Sequence, residues 1–280
     1  FTIILTGKTS KMKDKVVIIT GASSGIGLAC AREFAHRGAL VSVCARSADK
    51  LEEIKSEFDA AGHKLLVTEA DVSREEDCKR LIDNTVREFG KIDILINNAG
   101  MSMRALFVDL HLDVMRKLMD INFWGTVYCT KYALPYILEQ KGSVVGVSSI
   151  AGFIGLPGRA GYSASKYAMH GFLNTLRVEN LRKGLHVLIV APGFTASNIR
   201  KTALTADGSA QGETPRNENK MMSAEEVALR IIKAIQKRKR TLILTFVEGK
   251  LTVFLSKWLP ALVDKLSYNV MAKEPDSPFK

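Results

Sequence analysis

A doubly wound parallel α/β sheet with helices on both faces is what this sequence predicts. Three observations carry the reading. Short apolar runs alternate with longer stretches of helical period between residues 16 and 244. The runs are nearly continuous in apolar residues, the pattern of strands buried on both faces. The first run leads through a glycine-rich turn directly into a helix. Regular βα alternation implies a parallel sheet, and right-handed crossovers place the helices on both sides. The expectation is one Rossmann-type domain of about seven strands over residues 12–280. Residues 1–11 are apolar at the start but too short to cross a bilayer, and are set aside as an N-terminal extension.

The first strand is Val16–Thr20. The turn after it reads Thr20, Gly21, Ala22, Ser23, Ser24, Gly25, Ile26, Gly27. Ile26, Ala29, Cys30 and Phe34 then recur at helical spacing, so a helix runs to about Arg37. Gly21 permits a turn that side chains forbid, Gly25 lets backbone approach a pyrophosphate, and Gly27 lets the helix pack on the sheet. Ser23, Ser24 and Ile26 complete the turn and share the expected contact. The helix N-terminus adds unpaired N–H groups and a positive dipole end.

Strands at 40–44, 65–69, 92–96, 143–147 and 185–190 follow, with a short last one at 241–244. Helices are expected at 48–60, 74–89, 112–138, 162–182 and 224–236, and Pro135 should kink or end the long one. Two stretches break the rhythm. Residues 194–222 are long, polar and aperiodic, lie beyond a strand's carboxyl end, and read as a substrate lid. Residues 248–272 form an amphipathic segment, split by Pro260. Leu251, Leu255, Trp258, Leu262 and Leu266 make an apolar stripe opposite Lys250, Lys257 and Asp264.

Composition excludes several functions. The chain has 280 residues, is 46% hydrophobic and 25% charged, and carries a formal net charge of +11. Its basic residues are dispersed and no nucleic-acid motif accompanies them, so no nucleic-acid partner is expected. The dense run Lys237, Arg238, Lys239, Arg240 reads as the end of a helix. Cys30, Cys44, Cys78 and Cys129 are scattered and read as buried thiols in a reducing compartment. His36, His63, His111, His170 and His186 lack ligand spacing, so no metal is expected. A cytoplasmic protein, peripheral to a membrane at most, fits this picture.

Tyr162 and Lys166 lie one turn apart on one helix face. An ammonium beside a phenol favours the phenolate, and a phenol tuned this way exchanges a proton with a carbonyl oxygen near neutral pH. Ser148 and Ser149 close the preceding strand, where a hydroxyl can bond the same oxygen. At the end of the second strand stand Ala45, Arg46 and Ser47, with no acid to bind a ribose 2′-hydroxyl. Arg46 suits a 2′-phosphate, so NADP is the expected cofactor.

These landmarks, with Asp71-Val72, Asn97-Asn98-Ala99-Gly100, Asn122 and Pro192-Gly193, resemble the classical short-chain dehydrogenase/reductase family from about residue 13 to 193. The resemblance implies that Tyr162 is the general acid/base, that Ser149 positions the carbonyl, and that Lys166 holds the nicotinamide ribose and lowers the phenol pKa. It implies that Asn122 completes a proton relay. Asp71 and Val72 would hold the adenine, with Asn98, Ala99 and Gly100 along the cofactor path. Pro192, Gly193 and Thr195 would line the nicotinamide side. Ile19 and Thr20 would be mainly structural.

The expected function is NADP(H)-dependent hydride transfer between the nicotinamide and a small-molecule carbonyl or alcohol, with Met101, Met103, Phe153, Leu156, Ile199, Met221 and Met222 as apolar walls for a lipophilic ketone. The alternatives are an idle dinucleotide sensor or a membrane-surface binding protein on the same fold. Against a nucleotide-sugar epimerase stands the glycine spacing. Phe123, Trp124, Val127 and Tyr128 crowd one helix, so a homodimer or homotetramer is expected. Membrane contact is expected to be weak.

Overall fold

A computed structural model describes residues 12–193, 195, 199–212, 221–274 and 277–279. The N-terminal extension and parts of the expected lid, residues 194, 196–198 and 213–220, lie outside them. The sheet has seven strands: β1 Val16–Thr20, β2 Leu40–Ala45, β3 Leu65–Glu69, β4 Ile94–Asn97, β5 Ser143–Val147, β6 His186–Ala191 and β7 Thr241–Ile243. Their spatial order is β3-β2-β1-β4-β5-β6-β7, and every pairing is parallel. The chain winds outward from β1 in one direction and from β4 in the other. The switch between them opens a crevice at the carboxyl ends of the strands, where such sheets bind ligands.

The expected Rossmann-type domain is therefore present. Helices α1 Gly25–Ala35, α2 Ala48–Ala60 and α7 Ala224–Gln236 cover one face, over a core that includes Ile19, Phe34, Val43 and Ile231. Helices α3 Glu75–Phe89, α5 Gly125–Glu139 and α6 Ala160–Glu179 cover the other, over Ile18, Leu95, Val144 and Leu173. Helix α4, Leu112–Leu118, runs into α5 through a π-helical turn at Met119–Trp124. Pro135 neither ends nor breaks α5; the irregular turn lies earlier, around Asn122.

Boundaries shift for identifiable reasons. β4 starts two residues late, because Asp93 turns its carboxylate onto the Val16 amide at 2.9 Å and onto Lys15 at 2.7 Å. The basic run does not end α7, which stops at Gln236. Arg238 instead donates to the Lys141 and Gly184 carbonyls. All four cysteines are buried and free, and burial pushes the Cys30 and Cys44 thiols up to about 12.

The segment after β7 forms two helices, α8 Thr252–Trp258 and α9 Pro260–Ala272. Val253 and Val263 pack on Ile150, Ile154 and Ala191. Beyond α9, Glu274 makes a buried ion pair with Arg104, 3.4 Å apart, tying this segment to the loop after β4. The expected single stripe divides. Leu255 turns inward, while Trp258 stays 72% exposed and Leu262 and Leu266 about half.

Candidate active site

The crevice begins at the β1–α1 turn. Gly21 has φ +65, and a side chain there would meet the Ala99 Cα at 2.7 Å. At Gly27, a Cβ would lie 2.5 Å from both the Asn98 amide nitrogen and the Gly21 carbonyl. Asn98 clamps this corner, donating to the carbonyls of Thr20 and Gly21 at 2.9 and 3.0 Å. Thr20 Oγ1 accepts from the Asn98 and Ala99 amides, both at 3.0 Å. The ends of β1 and β4 are thus held together beneath the turn.

The start of α1 differs from those of its neighbours. Helix α3 opens with Glu75, Glu76 and Asp77, and α2 and α7 are capped by Ser47 and Ser223. Helix α1 has no acid in its first turn and no side-chain cap. Its N–H groups and dipole are free for an anion.

The cleft beyond has a volume of about 390 Å³. Gly21, Ser23, Ser24, Gly25 and Ile26 form one end of its wall, and Arg46, Asp71 and Val72 lie along it with Asn98, Ala99 and Gly100. Ser149, Tyr162, Lys166, Pro192, Gly193 and Thr195 close the far end. Three of the expected residues do not line it. Gly27 serves packing, Ser47 accepts the Lys50 amide as the cap of α2, and Asn122 is wholly buried. The Asn122 side chain is committed: Nδ2 donates to the Met101 carbonyl and Ser165 Oγ, and Oδ1 accepts the Met101 amide. Lys50 also lines the cleft, and sequence reasoning missed it. Its signal was the spacing of four from Arg46 at a helix start.

At the far end three groups converge. Tyr162 is buried, with Ser149 and Arg159 near its hydroxyl. Burial holds its phenol above the ordinary value, not below it as expected, and the Ser149 side chain and the nearby charge of Arg159 oppose that rise. Lys166 Nζ lies 5.7 Å from the Tyr162 ring centre and donates to the Val147 carbonyl at 3.0 Å. Burial lowers its pKa to about 8. The ammonium is therefore present at neutral pH and lost as pH rises through about 8. The Kd for a nicotinamide dinucleotide should rise above pH 8 if that charge holds it. A fluorescence titration across pH 6–10 checks this, and Lys166→Arg should lose the dependence because a guanidinium stays protonated.

A second cavity, of about 240 Å³, meets the first at Ser149 and Tyr162. Its walls are largely apolar: Ile150, Ile154 and Leu156 from one side, with Leu255, Val263 and Val270 from α8 and α9. Of the expected wall residues, Leu156 and Ile199 line it. Met101 lines the polar cleft, Met103 is fully buried, and Phe153 packs on His170. Met222 packs on the core beneath α1 and α7, and Met221 lines neither cavity. Among the described residues no cluster of His, Cys, Asp or Glu could hold a metal.

A glycine cradle, an uncapped helix start and a buried Tyr162–Lys166 pair beside Ser149 on a doubly wound sheet suit a dinucleotide-dependent oxidoreductase. Residues 15–207 match the model of the short chain dehydrogenase family. The chain is 35% identical over 271 residues to dehydrogenase/reductase SDR family member 7B of Mus musculus, spanning 95% of this chain and 84% of that protein. It is 42% identical over 194 residues to 11-beta-hydroxysteroid dehydrogenase 1A of Arabidopsis thaliana, spanning 68% and 55% respectively. An alcohol dehydrogenase from the archaeon Thermococcus sibiricus, solved with 5-hydroxy-NADP, shares the fold with a TM-score of 0.71. That match has 24% identity and covers 83% of this chain and 96% of that one. The chain belongs to the short-chain dehydrogenase/reductase family. It is an oxidoreductase that binds a nicotinamide cofactor and acts on a small molecule.

Proposed function

We propose that the protein reduces a lipophilic ketone of steroid-like, retinoid-like or long-chain acyl type with NADPH. The observation that carries this is the apolar cavity opening onto Ser149 and Tyr162 where it meets the polar cleft. The substrate oxygen sits between the two hydroxyls. Tyr162 passes it a proton and Ser149 donates a hydrogen bond. The cofactor, when bound, supplies the hydride. Lys166 holds its ribose, and Asn122 fixes the Met101 loop beside the relay.

NADPH is favoured over NADH because β2 ends at Ala45 without an acid and two cations, Arg46 and Lys50, line the cleft beside it. The relative named as an 11-beta-hydroxysteroid dehydrogenase supports a lipophilic substrate. Of the expected lid, the described residues Ile199 and Arg200 line both cavities. The deciding experiment is a panel of lipophilic ketones assayed with NADPH and with NADH. Turnover of an apolar ketone with NADPH supports the reading, and activity confined to small polar carbonyls or to NADH overturns it.

The surface adds two proposals. Trp124 is 43% exposed and stacks on Tyr128, and Tyr167 on α6 is 45% exposed. We propose that a second copy covers these rings in a homodimer or homotetramer. Light scattering at micromolar concentration should give a mass of two or four chains. The α8–α9 pair exposes Phe254 and Trp258, with Lys250, Lys257 and Lys265 exposed nearby. No described helix is long and apolar enough to cross a membrane. This face favours weak contact with an anionic bilayer surface. Sedimentation with anionic vesicles should be weak, and lost in Phe254→Ser/Trp258→Ser.

A further inference from the structure

His170 is a buried titratable side chain with no part in the chemistry proposed above. It lies two turns after Tyr162 and one turn after Lys166 on the same face of α6. Its Nε2 is 2.7 Å from Ser148 Oγ, and both residues are buried. The enclosure around the pair is specific. A Cβ on Gly152 would lie 2.6 Å from His170 Nε2 and 2.9 Å from Ser148 Oγ, so only glycine leaves room for the contact. The Phe153 ring closes the site edge-on, with centroids 4.5 Å apart.

Two turns of α6 are thereby bonded to two consecutive residues at the end of β5, and Tyr162 stands near the next. Lys166 donates to the Val147 carbonyl, His170 pairs with the Ser148 hydroxyl, and Ser149 acts on the Tyr162 phenol. The His170 bond fixes the residue that precedes Ser149. The Ser148 amide is held at the same time by the Val190 carbonyl at 2.7 Å.

We propose that His170 is a positioning residue: through Ser148, its imidazole sets the end of β5 so that the Ser149 hydroxyl stays in register with Tyr162. The inference rests on the reading of Ser149 and Tyr162 as the groups that hold the substrate oxygen. Its environment suits a fixed neutral hydrogen-bonding partner. Burial and the positive charge of Lys166 lower the His170 pKa to about 4. The β5 end and the turn after it bring Ser148, Gly152 and Phe153 against the ring, and none of them is charged.

The test needs no substrate. The Tyr162 phenol is titrated by near-ultraviolet absorbance, its contribution isolated by subtracting Tyr162→Phe. The Ser149 side chain holds the phenol pKa down, so displacing it moves the midpoint up. His170→Leu and Ser148→Ala should each raise the midpoint by roughly half to one pH unit. The double variant should shift no further, because both changes break one linkage. His170→Gln, which keeps a polar partner for Ser148, should restore the midpoint. On a ketone found in the panel, kcat should fall about tenfold in His170→Leu while the Kd for NADPH holds within about twofold. An unmoved midpoint in His170→Leu, additive shifts in the double variant, or no rescue by glutamine overturns the proposal. If His170→Leu fails to fold, Ser148→Ala and His170→Gln carry the same comparison. A panel without a turned-over ketone counts against the substrate assignment and leaves the phenol titration to decide the role of His170.

Discussion

Tyr162→Phe is expected to lose about 100- to 10,000-fold in kcat on a ketone substrate, the range for removal of a positioned general acid. The ring remains, so packing against Met103, Leu118 and Leu204 is kept. Only the hydroxyl near Ser149 is removed. Ser149 keeps its partner in the Ala151 amide at 3.2 Å, so its side chain is not stranded. The Kd for NADPH should stay within a few-fold, because Lys166 keeps its bond to the Val147 carbonyl. Stopped-flow reduction and fluorescence binding together separate the two quantities. Near-normal turnover in the variant would sink the assignment of the proton donor.

Arg46→Ala should weaken NADPH by about 10- to 150-fold and leave NADH nearly unchanged. The figure is that of one lost charge-assisted hydrogen bond, roughly 1.5–3 kcal/mol. Arg46 is exposed at the rim of the cleft, so its removal leaves the core untouched. Lys50 stays beside it, which sets the expectation toward the lower end of the range. Paired Kd measurements for both dinucleotides decide the matter. Equal weakening would mean that Arg46 acts on something the two cofactors share.

What could be read from the sequence was what is local in the chain. The β1–α1 turn declares itself because its glycines, its strand and its helix are consecutive. Tyr162 and Lys166 do so because helical spacing alone places them on one face. Six of the seven strands were legible because parallel strands buried on both faces are runs of apolar residues, and the short β7 because it follows an amphipathic helix. The misread features depend on distant partners. Met103 and Phe153 have the chemistry of pocket walls, yet Met103 is spent on the core and Phe153 on an imidazole. The walls come instead from Leu255, Val263 and Val270, whose placement depends on how α8 and α9 dock. The π-helical turn at Met119–Trp124 has no residue that announces it. It follows from packing that aims the Asn122 side chain at the Met101 backbone. His170 was legible only in hindsight, as the third member of a series spaced by four.

The docking of α8 and α9 divides labour along the chain. Every group proposed to handle the proton or the cofactor lies at or before residue 200, whereas one wall of the apolar cavity belongs to a contiguous stretch near residue 260. That stretch adds no rung to the sheet. Drift in its side chains can reshape what the cavity accepts without disturbing the machinery that reacts, so ligand preference is free to diverge among close cousins while the reaction stays the same.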